Sequence, residues 1–272
     1  MAAAEVPGAA EGPQLVRDPD LRNYPRTDVV NAERLLAMVD GDLLYCHEVK
    51  RWYIWNGSVW QPDYTGEIDR KVIRMLRLLH DQATAANNDD LAKFARACES
   101  PRRTTAAITY AKVSPGITVS INHFDRNPWL LNCLDCTLEL KHGKNDDGRS
   151  FHDRPHRRSD FITKSCNVPY DPEIRRPHFE KFIDRIFHGS VDLVSYAQRV
   201  FGYALTGVVT EKSMFCLFGA GNNGKTTLLE LFRYILGDYA GQIMISSLMA
   251  NASSSTVMAD LADLHGKRFV TT

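Results

Sequence analysis

The sequence lacks the features that mark membrane, secreted and strongly basic proteins. Its 272 residues contain no apolar run near the length of about 18 residues that a membrane-spanning helix requires. The N-terminus, from Met1 to Pro7, has neither the basic start nor the apolar core of a secretory signal. Lysine and arginine together number 33, and so do aspartate and glutamate, so any nucleic-acid surface must be a local patch. These absences predict a protein with no membrane segment.

Cysteine is also sparse, and its six residues do not form a dense disulfide framework. They are Cys46, Cys98, Cys133, Cys136, Cys166 and Cys216. Such scattered thiols are expected to stay reduced in a cytoplasmic protein. Cys133 and Cys136 have the spacing of zinc ligands, with His142 and Cys166 as the available further ligands. We favour buried thiols over a zinc site for this group.

The chain is organised around residues 214–236. The unbroken apolar run at residues 214–218 predicts a strand that is covered on both faces of a parallel sheet. Residues 219–226 match the pattern G-x-x-x-x-G-K-[ST] at every position. Apolar residues then recur at three-to-four spacing up to Leu236, which predicts a helix that ends at Gly237.

A strand, a glycine-rich loop and a helix in this order predict a nucleotide-binding site. Glycines let backbone amides curl around a phosphate, and the helix N-terminus adds further amides and a positive dipole end. Lys225 would bring a charge to the β- and γ-phosphates, and the Thr226 hydroxyl would bind Mg²⁺. A glycine-rich turn with a chance lysine is the alternative, and the flanking strand and helix disfavour it.

The segments upstream predict a tail, a mixed module and a helical pair. Residues 1–26 are rich in alanine, proline, glycine and charge, and we predict that they are disordered. Thr27 is placed to cap a helix, and three further helices are predicted between residues 63 and 112. Two more helices are predicted within residues 177–207.

Two hairpins are predicted in the same region. Asn56-Gly57, between two aromatic strands, is the strongest short hairpin signal in the sequence, and residues 124–140 form a second hairpin-like unit. Trp52, Trp55 and Trp60 could stack nucleic-acid bases, but we favour a place for them in the core of a small sheet.

The most basic segment of the chain follows the second hairpin. It comprises Arg149, His152, Arg154, His156, Arg157 and Arg158. These residues either line a nucleic-acid path or form a solvated loop, and the sequence does not choose between the two. Arg154, Arg157 and Arg158 are the candidate DNA contacts.

Several short motifs occur in an order that is more specific than any one of them. They are Thr27-Asp28 with Asn31-Ala32-Glu33-Arg34-Leu35, Trp52-x-x-Trp55-Asn56-Gly57-x-x-Trp60, Asn127-Pro128-Trp129-Leu130-Leu131-Asn132, Asp160-Phe161-Ile162-Thr163-Lys164, Tyr170-Asp171-Pro172, Gln198-Arg199-x-x-Gly202-Tyr203-x-Leu205-Thr206-Gly207, the glycine-rich loop and Leu261 to Val270. In this order the chain resembles the phage and plasmid primase-helicases whose motor is a superfamily 3 helicase, including their poxvirus relatives. One departure is Asp135-Cys136, where relatives usually have Asn-Gly.

The resemblance implies an α+β N-terminal module at residues 27–170, a helical linker, and then the first part of an α/β P-loop NTPase domain. That domain would span residues 177–272, with a helical pair at 177–207, the P-loop strand and helix at 213–236 and the start of the Walker B strand at 267–272. The ATP-binding residues implied by the resemblance are Gly219, Ala220, Gly221, Asn222, Asn223, Gly224, Lys225, Thr226 and Thr227.

The resemblance also implies an ATP-hydrolysing DNA helicase of phage or plasmid replication. Its cofactors would be ATP and Mg²⁺, with Thr226 as a metal ligand, and its partners single-stranded DNA and further copies of the chain in a hexamer. It would work in the cytoplasm of a bacterial or phage-infected cell. Relatives carry their Walker B acid beyond the position of Thr272, so we expect a fragment cut within the ATPase domain, with no catalytic residue of its own.

Two other functions are compatible with the same residues. The first is a DNA- or partner-binding module followed by an incomplete P-loop that does not hydrolyse ATP. The second is a small-molecule P-loop kinase, which fits less well because such enzymes usually carry the loop near the N-terminus.

Overall fold

The chain has a mixed fold of helices and small sheets. A computed structural model describes residues 18–140, 151–211, 213–248 and 264–272. Its contacts group the chain into two compact units. One unit contains the described residues up to Tyr45 together with Asp63–Thr118, and the other contains Cys46–Pro62 together with the described residues from Val119 onward.

The first unit is mainly helical. Its helices are α1 (Asp28–Val39), α2 (Glu67–Ala85), α3 (Asp89–Cys98) and α4 (Pro101–Ala111), and strand β1 (Leu43–Cys46) begins in it. Thr27 starts α1 as predicted, because its hydroxyl accepts a hydrogen bond from the Val30 amide at 3.3 Å. Fully buried apolar residues on the helices, such as Leu35 and Met75, form the core of this unit.

The chain before α1 is held in place from residue 18 onward. Leu21 is fully buried, and its amide donates to the Gln82 side chain at 2.8 Å. The buried Arg34 guanidinium donates to the carbonyl oxygens of Leu21 at 3.1 Å and Tyr24 at 2.5 Å. The predicted disorder therefore does not extend over residues 18–26. Long-range hydrogen bonds fix this segment, and the composition of the segment does not reveal them. Residues 1–17 lie outside the described chain.

The described part of the second unit contains strands of three small sheets and three longer helices. Strand β2 (Arg51–Trp55) pairs antiparallel with β3 (Trp60–Pro62), and β5 (Thr137–Glu139) lies between β4 (Leu130–Asn132) and β6 (His152–Arg154). Strand β7 (Ala240–Gln242) pairs in parallel with β8 (Phe269–Thr271). The helices are α5 (Pro177–Ile186), α6 (Val191–Leu205) and α7 (Lys225–Leu236). Short 3-10 turns occur at Ile121–His123, Arg158–Asp160, Gly237–Tyr239 and Ile245–Leu248.

The first predicted hairpin is confirmed, with a four-residue turn. Trp55 pairs with Trp60, and the Asn56 side chain accepts hydrogen bonds from the amides of Ser58 at 2.9 Å and Val59 at 2.8 Å. Gly57 takes a positive φ of 98° inside the turn. Trp52 and Trp60 are buried, so both lie in the core, which is the interpretation that the sequence analysis favoured. Trp55 is partly buried.

The strand predicted at residues 214–218 is wrong. These residues form no ladder with any described strand, and Met214 and Phe218 are 76% and 93% exposed. A buried parallel strand needs a hydrogen-bonded neighbour and covered faces, and the described chain supplies neither at this position. The helix that follows is confirmed, because α7 spans Lys225–Leu236 and ends at Gly237. A strand is likewise present at Phe269–Thr271, within the segment interpreted as the start of Walker B.

The cysteines lie mostly in the protein interior, as favoured from the sequence. Five of the six are buried and only Cys216 is exposed. Cys133, Cys136 and Cys166 lie in one apolar cluster with Leu131, Leu138, Leu236 and Tyr239. Within the described ranges, no group of three or more histidine, cysteine or acidic side chains has the geometry to hold a metal ion. His142 lies outside those ranges.

None of the helices in the described part of the chain is long and apolar enough to cross a membrane.

Candidate nucleotide-binding site

The glycine-rich loop leads directly into the N-terminus of α7. Gly224 precedes the helix with a φ of 84°, and Gly219 and Asn222 also take positive φ values of 151° and 57°. A Cβ on Gly224 would lie 2.8 Å from Ile186 Cγ2 and 3.1 Å from Phe182 Cε2. Both the backbone conformation and the close approach of α5 therefore require glycine at this position.

Within the described residues, no side chain caps the start of α7. The residue before the helix, Gly224, has no side chain that could accept a hydrogen bond from the first-turn amides. By contrast, a side chain caps the start of α1 and of α3. The first amides of a helix have no intrahelical acceptor, and they add to the positive end of the helix dipole. The start of α7 thus offers hydrogen-bond donors and a positive potential to an anion.

Lys225 places its charge inside the loop. Its Nζ donates to the carbonyl oxygens of Gly219 at 3.1 Å and Ala220 at 3.4 Å, and to Asn223 Oδ1 at 2.7 Å. Among the residues that the structure describes, the acceptors of this ammonium are all neutral. A phosphate oxygen carries a full charge and is a stronger acceptor than a carbonyl, so an anion in the loop would compete for these donors.

The hydroxyls that follow the lysine are accessible. Thr226 and Thr227 are both exposed, and so are residues 213–222. Asn223 and Gly224, between them, are half-buried. The structure thus places a lysine ammonium, uncapped amides and an adjacent hydroxyl within residues 219–227. Their binding of ATP and Mg²⁺ stays a prediction.

The C-terminal end of α7 is held by a segment far away in sequence. The Asn167 amide donates to the Ile235 carbonyl at 3.0 Å, and the Asn167 side chain donates to the Tyr234 carbonyl at 2.9 Å. Ser165 and Asp238 are joined twice, because each backbone amide donates to the other residue, at 3.1 and 3.0 Å. Four hydrogen bonds thus fix the end of the helix that lies opposite the loop.

Gly237 makes this attachment sterically possible. Its φ is 52°, and a Cβ there would lie 2.7 Å from Asn167 Oδ1 and 2.8 Å from the Ser165 carbonyl oxygen. Sequence analysis identified Gly237 as the end of the helix but gave no sign of what it packs against.

Arg268 is a half-buried residue of the second unit that sequence analysis did not single out. Its guanidinium donates to the carbonyl oxygens of Leu205 at 2.7 Å and Leu130 at 2.5 Å, and lies 4.5 Å from the Tyr239 ring centroid. Burial lowers the pKa of Arg268 and raises that of Tyr239, whose hydroxyl accepts from the Asn132 amide at 3.2 Å. One side chain thus links β4, the end of α6 and the turn after α7.

The structure separates the three candidate DNA contacts. Arg154 lies in β6 with its side chain only 9% exposed, and it pairs with Glu139 at 2.7 Å and with both carboxylate oxygens of Asp160 at 2.8 Å. Its guanidinium is occupied within the protein and is not presented to DNA. Arg157 and Arg158 are exposed and remain candidates. The ion pairs of Arg154 join residues up to 15 positions apart, so local composition did not reveal them.

His156, from the same basic segment, also faces inward. Its Nδ1 lies 2.8 Å from Asn132 Oδ1 and 3.2 Å from Thr137 Oγ1, and both of these partners are fully buried. Arg149 lies outside the described residues. The segment predicted either as a loop or as a nucleic-acid path is therefore an edge strand followed by an exposed pair of arginines.

Comparison with known proteins supplies two findings. Residues 32–188, more than half of the chain, match the family described as D5 N terminal like. A protein of Acanthamoeba polyphaga mimivirus that is named as a helicase, L207/L206, is 38% identical over 154 residues. That stretch covers 54% of this chain and 15% of the viral protein, so the chain spans a small part of this relative. The family match ends before the glycine-rich loop at residue 219.

Proposed function

Because the chain belongs to the D5 N terminal like family, we propose that it is part of an ATP-dependent DNA helicase of superfamily 3, and that residues 219–227 bind ATP. The family places the chain among helicase-associated modules, and the viral relative bears a helicase name. The nucleotide-binding role is our inference from the geometry of the loop.

The position of Lys225 carries this proposal. Its Nζ lies within hydrogen-bond distance of three acceptors of the loop. Lys225 stands at the N-terminal end of α7, which no side chain of the described residues caps. When a nucleotide enters, the phosphates would take the ammonium and the first amides of α7 as donors. Thr226, exposed beside the lysine, would bind the Mg²⁺ that neutralises phosphate charge.

We further propose that the working protein is a homo-hexamer that acts on single-stranded DNA. This step rests on the resemblance of the ordered motifs to primase-helicases, with the family match and the helicase-named relative as support. In this proposal residues 219–227 would hold the phosphates, and we assign none of the described residues as the acid that would polarise the attacking water. We therefore expect this chain alone to bind Mg²⁺-ATP and to hydrolyse it negligibly.

Calorimetric titration with Mg²⁺-ATP tests the nucleotide-binding proposal. We expect saturable binding by the parent chain and its loss in Lys225→Ala. Lys93→Ala is a matched control, because Lys93 is an exposed lysine of α3 and its removal changes the net charge equally. Equal binding by the parent chain and by Lys225→Ala would exclude the loop as the site.

A second candidate function is a DNA- or partner-binding module whose P-loop does not turn over ATP. The exposed pair Arg157 and Arg158, next to a rigid strand, favours it. Salt-dependent binding of single-stranded DNA without any binding of Mg²⁺-ATP would select this function over the first. Rapid ATP turnover that Lys225→Ala abolishes would exclude it.

A further inference from the structure

Phe161 has a backbone conformation that is unusual for a bulky residue. Its φ is 50° and its ψ is 37°, in the left-handed region that residues with a Cβ seldom occupy. Such a conformation persists only where the surrounding structure imposes it, and such residues cluster at functional sites. The conformation of Phe161 therefore raises the question of what holds the segment and what the segment presents.

The segment is fixed through its backbone on both sides. The Phe161 amide donates to the Arg158 carbonyl at 3.1 Å, and the same carbonyl accepts from the Trp60 indole at 2.9 Å. The Phe161 carbonyl accepts from the Asp125 amide at 3.0 Å. Between these points, the Asp160 carboxylate is held by both terminal nitrogens of Arg154. The hairpin and the edge strand thus fix the position of residues 158–161.

This fixed segment carries two arginines and a phenylalanine, and the phenylalanine ring has aromatic neighbours. Arg157 and Arg158 are exposed, and Phe161 follows them as a half-buried ring. The Phe161 ring packs edge-on against the buried Phe124 at 6.3 Å between centroids, and the ring of the exposed His123 lies 6.2 Å away. Two exposed arginines therefore lie within four residues of Phe161 in the chain, on a backbone segment that the hydrogen bonds above hold in place.

We propose that Arg157, Arg158, Phe161 and His123, together the 157–161 surface, bind single-stranded DNA. The arginines would contact successive phosphates, and the rings would stack on unpaired bases, which a duplex does not offer. This assignment rests on the proposed function, because it gives the single-stranded DNA partner of that function a place on the chain.

The charge contribution is tested by fluorescence anisotropy with a labelled oligothymidylate of about 20 nucleotides, titrated at several salt concentrations. We expect the double variant Arg157→Ala/Arg158→Ala to bind about tenfold more weakly, with a salt slope lower by about 1.4, since each lost single-strand phosphate contact contributes about 0.7. Arg175→Ala/Arg176→Ala is the matched control, because these are also adjacent, exposed arginines of the same unit.

The aromatic contribution needs a variant that keeps the backbone. Asparagine tolerates the left-handed conformation, so Phe161→Asn removes the ring without adding strain. We expect it to weaken oligothymidylate binding at least fivefold, while duplex binding of equal length stays unchanged. Phe161→Leu retains an apolar side chain against Phe124, and it should show the same loss if stacking, rather than packing, is responsible. Unchanged circular dichroism and thermal unfolding establish that the variants are folded.

The outcomes separate this inference from the nucleotide-binding proposal. Suppose that the parent chain binds oligothymidylate and that the double variants at 157/158 and at 175/176 lose the same affinity for it. The 157–161 surface is then not the site. If the parent chain binds Mg²⁺-ATP but no oligothymidylate, the inference fails and the nucleotide site stands. If oligothymidylate binding depends on the surface but Mg²⁺-ATP does not bind, the inference stands and the nucleotide site fails.

Discussion

The two ends of helix α7 differ in their exposure and in the groups that satisfy their hydrogen bonds. The C-terminal end is fixed by the hydrogen bonds of Asn167 and by the buried side chains of Leu236 and Tyr239. The N-terminal end follows an exposed loop, has no side-chain cap, and contacts its own loop through Lys225. The comparison teaches that one end of the helix holds the structure together, while the other keeps unsatisfied donors that are available to a ligand.

This division has a direct energetic meaning. Substitutions at the C-terminal end should change the free energy of unfolding and leave nucleotide affinity unaltered. Substitutions at the loop should do the reverse, because groups that are satisfied only by a ligand add little to the stability of the unliganded chain. Four variants test this division, and they follow in order of expected effect.

Leu236→Ala should have the largest effect, on stability. Leu236 is 1% exposed and packs in the cluster with Leu131, Leu138 and Tyr239. Removing a buried leucine side chain leaves a cavity and should lower the free energy of unfolding by about 3 kcal/mol. Urea denaturation measures this, with Leu193→Ala, a leucine 52% exposed, as the control. Equal losses in the two variants would contradict the assignment of this end as the anchor.

Gly224→Ala should affect both properties, because it lies at the junction of the loop and the helix. The added Cβ would clash with Ile186, and the φ of 84° disfavours alanine, so we expect a cost of about 1–2 kcal/mol and loss of Mg²⁺-ATP binding. Gly189→Ala is the matched control, since its φ of 68° imposes a similar strain while its nearest atom lies 3.7 Å away. If Gly189→Ala also lost nucleotide binding, strain alone would explain the result.

Asn167→Ala should affect stability alone. It removes the side-chain hydrogen bond to the Tyr234 carbonyl and should cost about 1 kcal/mol. Calorimetry should show the same Mg²⁺-ATP affinity as the parent chain, and Asn122→Ala, at an exposed asparagine, should leave both quantities unchanged. A fall in nucleotide affinity in Asn167→Ala would mean that the two ends of the helix are coupled.

The smallest effect concerns alkaline pH. Burial raises the pKa of the Cys136 thiol from 9.0 to about 12, in the cluster that anchors the C-terminal end. The unfolded chain loses this proton above about pH 9 while the folded chain keeps it, so stability is unaffected below pH 9 and falls between pH 9 and 12. Urea unfolding at pH 8 and pH 10 should therefore show a smaller fall in Cys136→Ala than in the parent chain. An identical fall would show that this thiol does not titrate differently on folding.

The helices were the most predictable part of the fold, because their signals are local. A capping threonine at residue 27, and apolar residues spaced up to a terminal glycine at 237, placed α1 and α7 close to their observed bounds. The apolar run at residues 214–218 predicted a strand wrongly, since strand formation depends on a neighbouring strand that the run does not specify.

The candidate sites were predictable to different degrees for the same reason. The loop motif concentrates its chemistry in residues 219–226, so its lysine and glycines were found from the sequence. Arg154 carries the same charge as Arg157 and Arg158, yet its side chain is buried because it forms ion pairs with Glu139 and Asp160. The left-handed conformation of Phe161 had no local signal, because its cause lies in contacts with Asp125 and Trp60.

Hydrogen exchange with and without Mg²⁺-ATP tests the difference between the two ends of α7 most directly. The nucleotide should slow exchange of the amides of residues 219–227, which become donors to phosphate, and leave residues 234–239 unchanged, since their hydrogen bonds already exist. Lys225→Ala should abolish the protection at the loop. Protection that is absent from the loop, or that is equal at both ends of the helix, would contradict a binding end distinct from an anchoring end.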